Sequence, residues 1–162
     1  MAETYEELRP LLFSIAYRML GSVTEAEDVV QEAFLRYHRT LSEQDTEIES
    51  PKAYLSAVAT RLAIDHLRSA RVRKETYVGE WLPEPLPTGE GAPGAARHLE
   101  KADSLSMAFL LLLERLSPVE RAVFLLHDVF DYGYDEVAEI VGRTEANCRQ
   151  LAVRARRRLD HP

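Results

Sequence analysis

Residues 134–159, YDEVAEIVGRTEANCRQLAVRARRRL, leave a chain few ways to fold. A short apolar helical pattern runs to Gly142, and a second pattern starts directly after it. In the second, Cys148, Leu151, Ala152, Ala155 and Leu159 follow the i, i+3, i+4, i+7 spacing of one buried helix face. Ala146, Gln150, Val153 and Arg157 fall on the opposite face, flanked by Arg149 and Arg154. Thr144 is a good N-cap, and Glu145 suits the positive end of the helix dipole. Helix, glycine turn and a second helix with arginines outward is the helix-turn-helix pattern. From Arg143 to Arg158 there are six arginines and one acid, Glu145, a formal +5. A solvated basic face on a terminal helix is the alternative for this segment taken alone.

That charge contrasts with the whole. The 162 residues carry a formal −7, and residues 1–50 alone hold eleven acids against four bases. A second basic block follows at 52–74, where Lys52, Arg61, Arg68, Arg71, Arg73 and Lys74 face only Asp65. An acidic front with two basic blocks should bind free DNA poorly, because phosphate neutralisation supplies most non-specific affinity. The acidic front also points to a second partner that is not DNA.

Several classes drop out. The apolar run at 108–113 is far too short to span a membrane, and the polar opening MAETYEELRP is no signal peptide. The single cysteine, Cys148, excludes an internal disulfide and a thiolate metal cluster; on an apolar helix face it reads as a small core residue. These features fit the cytoplasm. Histidines 38, 66, 98, 127 and 161 lack metal-ligand spacing, and no Gly-rich phosphate loop or G-x-S-x-G elbow occurs. No catalytic residue, cofactor or metal is therefore expected.

Taken in order, the chain reads as helices. Leu8, Leu11, Leu12, Ile15, Ala16 and Met19 form an amphipathic stripe that Gly21 ends. Thr24 and Glu27 then suggest a capping box for a helix burying Ala26, Val29, Val30, Ala33, Phe34 and Tyr37. Its outward face carries Asp28, Gln31, Glu32 and Leu35, and a leucine among carboxylates suits either a partner or plain solvent. Residues 41–50 read as a loop. Ser50 and Pro51 cap and start a third helix that buries Leu55, Val58, Ala59 and Leu62 and runs to about Lys74. Arg61, Arg68 and Arg71 share one of its faces, with Asp65 placed to pair with Arg61 or Arg68. This basic end, with Tyr54 and Tyr77 nearby, suits either a nucleic-acid strand or simple neutralisation of a helix C-terminus.

Residues 75–96 contain four prolines and four glycines, the composition of a linker. Yet Trp81, Leu82 and Pro83 make it apolar and stiff, so docking on another domain or partner is expected there. Helical spacing returns at 97–116 through Leu105, Phe109, Leu112 and Leu116. Ser117, Pro118 and Glu120 cap a further helix through Val119, Ala122, Val123 and Leu126, which Gly133 breaks. The expected fold is all-α: a three-helix unit (1–75), a flexible linker (76–98) and a four-helix unit (99–162).

Three stretches in this order resemble a bacterial sigma factor of the extracytoplasmic-function type. LFSIAYRMLGSVTEAEDVVQEAFLRYHR and SPKAYLSAVATRLAIDHLRSARVRK are similar to sigma region 2. LSPVERAVFLLHDVFDYGYDEVAEIVGRTEANCRQLAVRARRRL is similar to sigma region 4. The resemblance implies that Asp28, Gln31, Glu32 and Leu35 dock on the clamp helices of the largest subunit of core RNA polymerase, with region 4 at the flap. It implies that Arg61, Arg68, Arg71, Arg73 and Lys74 hold the melted minus-ten strand. It also implies that Arg143, Arg149, Gln150, Val153, Arg154 and Arg157 read or clamp the minus-thirty-five element of promoter DNA. WLPEP at 81–85 resembles the signature of a subgroup with an appended SnoaL-like domain. These 162 residues stop just after region 4 without that domain. A regulatory C-terminal domain or an anti-sigma factor is the further partner the resemblance implies. A free-standing dimeric helix-turn-helix regulator and a protein-only adaptor are the alternative readings.

Overall fold

The structure, a computed structural model, describes the backbone of residues 2–43, 47–76 and 106–160, with side chains for 4–43, 47–70 and 107–160. Trp81, Leu82, Pro83 and Tyr77 lie outside the described residues, as do the side chains of Arg71, Arg73 and Lys74. Every described element is helical: α1 (Ala2–Leu20), α2 (Val23–Glu43), α3 (Pro51–Thr76), α4 (Ser106–Leu113), α5 (Pro118–Phe124), α6 (Tyr134–Val141) and α7 (Glu145–Asp160). A turn of π-helix, Leu125–Val129, prolongs α5.

Local signals set most boundaries. Gly21 has φ of 69° and closes α1 with its N–H on the Tyr17 carbonyl. Only Ser22 then separates α1 from α2, so Ser22, not Thr24, is the cap: its hydroxyl accepts from the Glu25 N–H at 3.2 Å. Ser50 caps α3 as expected, accepting from Ala53 N–H at 3.1 Å. Ser117 and Glu120 form the expected reciprocal box at α5, at 3.2 and 2.9 Å. The turn before α6 is made by Asp131, with φ of 64°, whereas Gly133 is extended at φ −68° and serves as the N-cap. A short aspartate tolerates this left-handed position better than most residues do.

Two expected burial stripes shift. In α4 the core residues are Leu110 and Leu113, followed by Leu116, while Phe109 and Leu112 are half-buried. In α3, Leu55, Ala59 and Ala63 are buried, but so are Ser56, Thr60 and Ile64, while Val58 and Leu62 are half-buried. The buried face is wide because α3 has neighbours on both sides. It packs on α1 and α2, and also on α5 and α6. The two helical units thus share one core rather than standing apart. Polar ties cross the junction. Tyr132 and Ser56 hydroxyls meet at 2.6 Å, Arg121 donates to the Met19 carbonyl, and Arg18 lies over the Phe130 ring at 5.4 Å. Burial pushes the Arg121 guanidinium down to about 10, with Glu114 opposing the shift, so it stays charged at neutral pH.

Gly142 closes α6 at φ 71°, and a Cβ built there meets nothing within 4 Å. Gly142→Ala should therefore cost only the left-handed backbone penalty, about 1–2 kcal/mol, without steric displacement. Urea unfolding of the two proteins checks this value.

Candidate nucleic-acid interface

The recognition-type helix α7 is fixed from beneath and from its start. Cys148, Leu151, Ala152 and Ala155 are buried, and Leu159 is half-buried, so the apolar face is the expected one. Thr144 caps it by accepting from Asn147 N–H at 3.0 Å. Burial raises the Cys148 thiol above its ordinary value, which suits an inert core residue.

Arg149, Gln150, Val153, Arg154 and Arg157 line one open groove on the exposed side. Arg143 joins a second groove with Thr144 and Asn147, and donates to the Asn147 side chain at 3.2 Å. Five of the six residues expected at the reading face are therefore brought together, and Arg143 lines a separate groove. Val153 is 43% exposed among arginines, a placement suited to a thymine methyl group.

The arginines are not equivalent. Arg149 pairs with Glu145 at 3.7 Å and lies over the Tyr134 ring at 5.2 Å. Arg156 makes a bidentate bond to Asp128, 2.7 Å on each arm, and reaches the Tyr134 hydroxyl at 3.4 Å. The Asp128 bond, then the Tyr134 bond, raise its pKa above the usual guanidinium range. Arg158 donates to Glu120 at 3.0 Å, and Arg154 stands 3.8 Å from the same carboxylate. Arg157 has no acidic partner among the described residues. Sequence reasoning missed Asn147, Arg156, Asp128 and Glu120 as parts of this site. Helical spacing puts Asn147 near the exposed face, but Asp128 and Glu120 lie 28 and 38 residues from the arginines they hold.

The second basic block is arranged differently. Arg61 donates to the carbonyls of Ile140 at 2.9 Å and Glu139 at 3.0 Å rather than pairing with Asp65. These carbonyls belong to the last turn of α6, where helical acceptors lack intrahelical donors and a cation is favoured. Arg61 is thus a junction residue in this packing, while Arg68 is exposed. Tyr54 is half-buried, its hydroxyl 2.9 Å from Thr40 and its ring tilted on Tyr37, so it is no free stacking platform.

On α2, Asp28, Gln31 and Leu35 are exposed and Glu32 is half-exposed, bonded to Arg36 at 3.2 Å. Leu35 is 50% exposed, and the exposed Tyr5 ring lies tilted against the buried Phe34 at 4.7 Å. The four expected docking residues do share one surface. Among the described residues no group of three or more His, Cys, Asp or Glu is placed to hold a metal, and no helix is long and apolar enough to cross a membrane.

Residues 4–73 match the family model described as Sigma-70 region 2, and residues 106–159 match that of Sigma-70, region 4. The chain is 48% identical over 153 residues to the ECF RNA polymerase sigma factor SigJ of Mycobacterium tuberculosis, covering 94% of this chain and 48% of SigJ. It belongs to the extracytoplasmic-function sigma factors. The probable ECF sigma factor SigI of the same species is 35% identical over 158 residues, 94% of this chain and 51% of SigI. Among solved structures, that of M. tuberculosis SigJ superposes with a TM-score of 0.79 at 42% identity, over 100% of this chain and 54% of that one. RpoE of Bartonella quintana, in complex with the anti-sigma factor NepR, superposes with a TM-score of 0.69 at 21% identity, over 98% and 95% of the two chains, and shares the fold. The chain spans about half the length of the curated relatives it matches. In sigma terms α1–α3 are region 2 and α4–α7 region 4, and the Arg61 and Tyr132 bonds join them.

The Tyr132–Ser56 bond generates a test of that junction. Burial raises the Tyr132 phenol above its ordinary value of 10.0, so the folded chain favours the neutral form. That contribution is complete below about pH 10 and is lost as pH rises through the folded value. In a double-mutant cycle, Ser56→Ala and Tyr132→Phe should couple by about 1 kcal/mol in chemical unfolding at pH 7. Tyr132→Phe should also soften the fall in stability above pH 10.

Proposed function

We propose that the protein is a transcription initiation factor that binds core RNA polymerase, directs it to particular promoters and helps open the DNA. The observation that carries this is the outward face of α7. Gln150, Val153 and Arg157 stand free there on a capped helix, directly after a Gly142 turn, in a chain that matches both sigma regions. Such a face offers base-edge donors, an apolar contact and phosphate clamps together. The protein acts in this reading as a non-enzymatic binding factor in the cytoplasm, with residues 1–75 and 99–162 as its two working units. It docks on the polymerase clamp helices through Asp28, Gln31, Glu32 and Leu35, and at the flap through region 4. A regulatory domain or an anti-sigma factor is its further partner; the Bartonella relative named above is bound to one.

Polymerase is needed because the net charge of the chain and the engagement of Arg61 both weaken binding to free duplex. The acidic front repels duplex DNA, and in this packing Arg61 is engaged on the carbonyls of α6. Fixing the two units at promoter spacing raises the effective concentration of each on its element. A base extruded at the minus-ten element loses a few kcal/mol of stacking, which contacts from α3 offset.

The deciding experiment mixes the protein with core polymerase and a promoter library and sequences the run-off starts. Specific starts that need both components are expected. Tight duplex binding without polymerase, and no association with core, would favour a dimeric operator-binding regulator instead. Asp28→Ala with Glu32→Ala should weaken core binding while leaving the circular-dichroism melting curve intact. Arg157→Ala should weaken promoter binding by about 1–3 kcal/mol and relax specificity at one base pair if it reads a base.

A further inference from the structure

Glu120 lies in the first turn of α5, beneath the flank of α7, and is 2% exposed. A carboxylate removed from water to this degree needs compensating partners. Its Oε1 has two, the Ser117 N–H at 2.9 Å and Arg158 Nη1 at 3.0 Å. Its Oε2 makes no hydrogen bond, and the Arg154 Nε stands 3.8 Å away. Arg154 and Arg158 are one helical turn apart on α7, so the single buried charge draws both toward α5. Arg156, between them in sequence, points to the other flank and is held by Asp128. Two acids thereby engage arginines on both flanks of a helix whose rotation its buried Cys148, Leu151, Ala152 and Ala155 already fix.

We propose that Glu120 is a positioning residue for promoter recognition. It occupies the place of a phosphate for Arg154 and Arg158, and so leaves Arg149, Gln150, Val153 and Arg157 as the face presented to the groove. This rests on the reading of α7 as the promoter-reading helix. The physical logic is a subtraction. A guanidinium free on the flank of α7 adds affinity for any duplex, since phosphate contacts carry no sequence information. A guanidinium drawn to an internal carboxylate adds less, so a larger share of the binding comes from base contacts. With 60% of its side chain exposed, Arg154 is the arginine that would change partner if Glu120 lost its charge.

Glu120→Gln separates this role from capping, because glutamine serves equally in the capping box. The full chain with core polymerase is titrated with a promoter duplex and a scrambled duplex across a salt series. Glu120→Gln is expected to bind the scrambled duplex more tightly and to steepen the log K against log salt slope by about 0.9, one added phosphate contact. The ratio of promoter to scrambled affinity should fall about tenfold, and Arg154→Gln on the Glu120→Gln background should return the slope toward wild type. Ser117→Ala, which removes the cap alone, should lower the melting temperature without moving the slope.

If Glu120→Gln fails to fold, the single variants decide. Arg157→Gln should then lower the promoter-to-scrambled ratio, and Arg154→Gln should lower that ratio clearly less and change the slope by less than a full contact. An unchanged slope and ratio in a folded Glu120→Gln, or equal losses for Arg154→Gln and Arg157→Gln, would overturn the role of Glu120. Absence of any promoter preference in the wild-type complex would instead overturn the reading of α7 itself.

Discussion

Helix α3 has to satisfy two sets of neighbours at once, and the rest of the structure follows from how it does so. Toward α1 and α2 the unit is closed by apolar burial, with Leu55, Ala59 and Ala63 out of water alongside Leu12, Ile15 and Val29. Toward the second unit α3 offers small polar groups, of which Ser56 meets Tyr132, and one long cation, Arg61, which meets the end of α6. Hydrophobic area supplies most of the driving force in the first case. In the second, hydrogen bonds that each contribute about 1 kcal/mol net add directionality to the core the two units share.

That difference matters for a chain whose proposed work needs two DNA-binding units on one promoter. A junction made wholly of leucine would hold the units in one arrangement. The junction here adds to its apolar contacts the directional bonds of Arg61, Tyr132, Arg18 and Arg121. Lys52, 5.3 Å over the Tyr132 ring, belongs to the same polar set.

On α7 the same economy of charge appears at smaller scale. Six arginines on 143–158 would make an indiscriminate polycation if all faced outward. Glu145, Asp128 and Glu120 each take a share, at distances of 2.7 to 3.8 Å. Exposed pairs of this kind contribute little to stability, so the chief effect of Glu145 is on which charges remain for a ligand. The buried Glu120 differs, because it cannot be left unpaired. Arg157 and the uncharged Gln150 and Val153 remain at the centre of the exposed face.

The helical periodicity of the sequence alone determined the all-α class, the caps at Ser50, Ser117 and Thr144, the left-handed Gly21 and Gly142, and the buried face of α7. These depend on groups within one or two turns of each other, where spacing and backbone geometry are enough. The outward faces of α2 and α7 were legible for the same reason, as the complement of a buried stripe. The cap of α2 was misplaced by two residues, because a one-residue junction after Gly21 leaves no room for the pattern that Thr24 suggests. Tertiary structure decided what depends on distant neighbours. It made Ser56 and Thr60 core residues, moved the α4 stripe to Leu110 and Leu113, and turned Arg61 from Asp65 to the carbonyls of α6. It also brought Glu120 and Asp128 to the arginines of α7. Charge attraction between groups separated by 28 or 38 residues leaves no period in a sequence, and only the tertiary fold, with α5 packed on α7, brings them within reach.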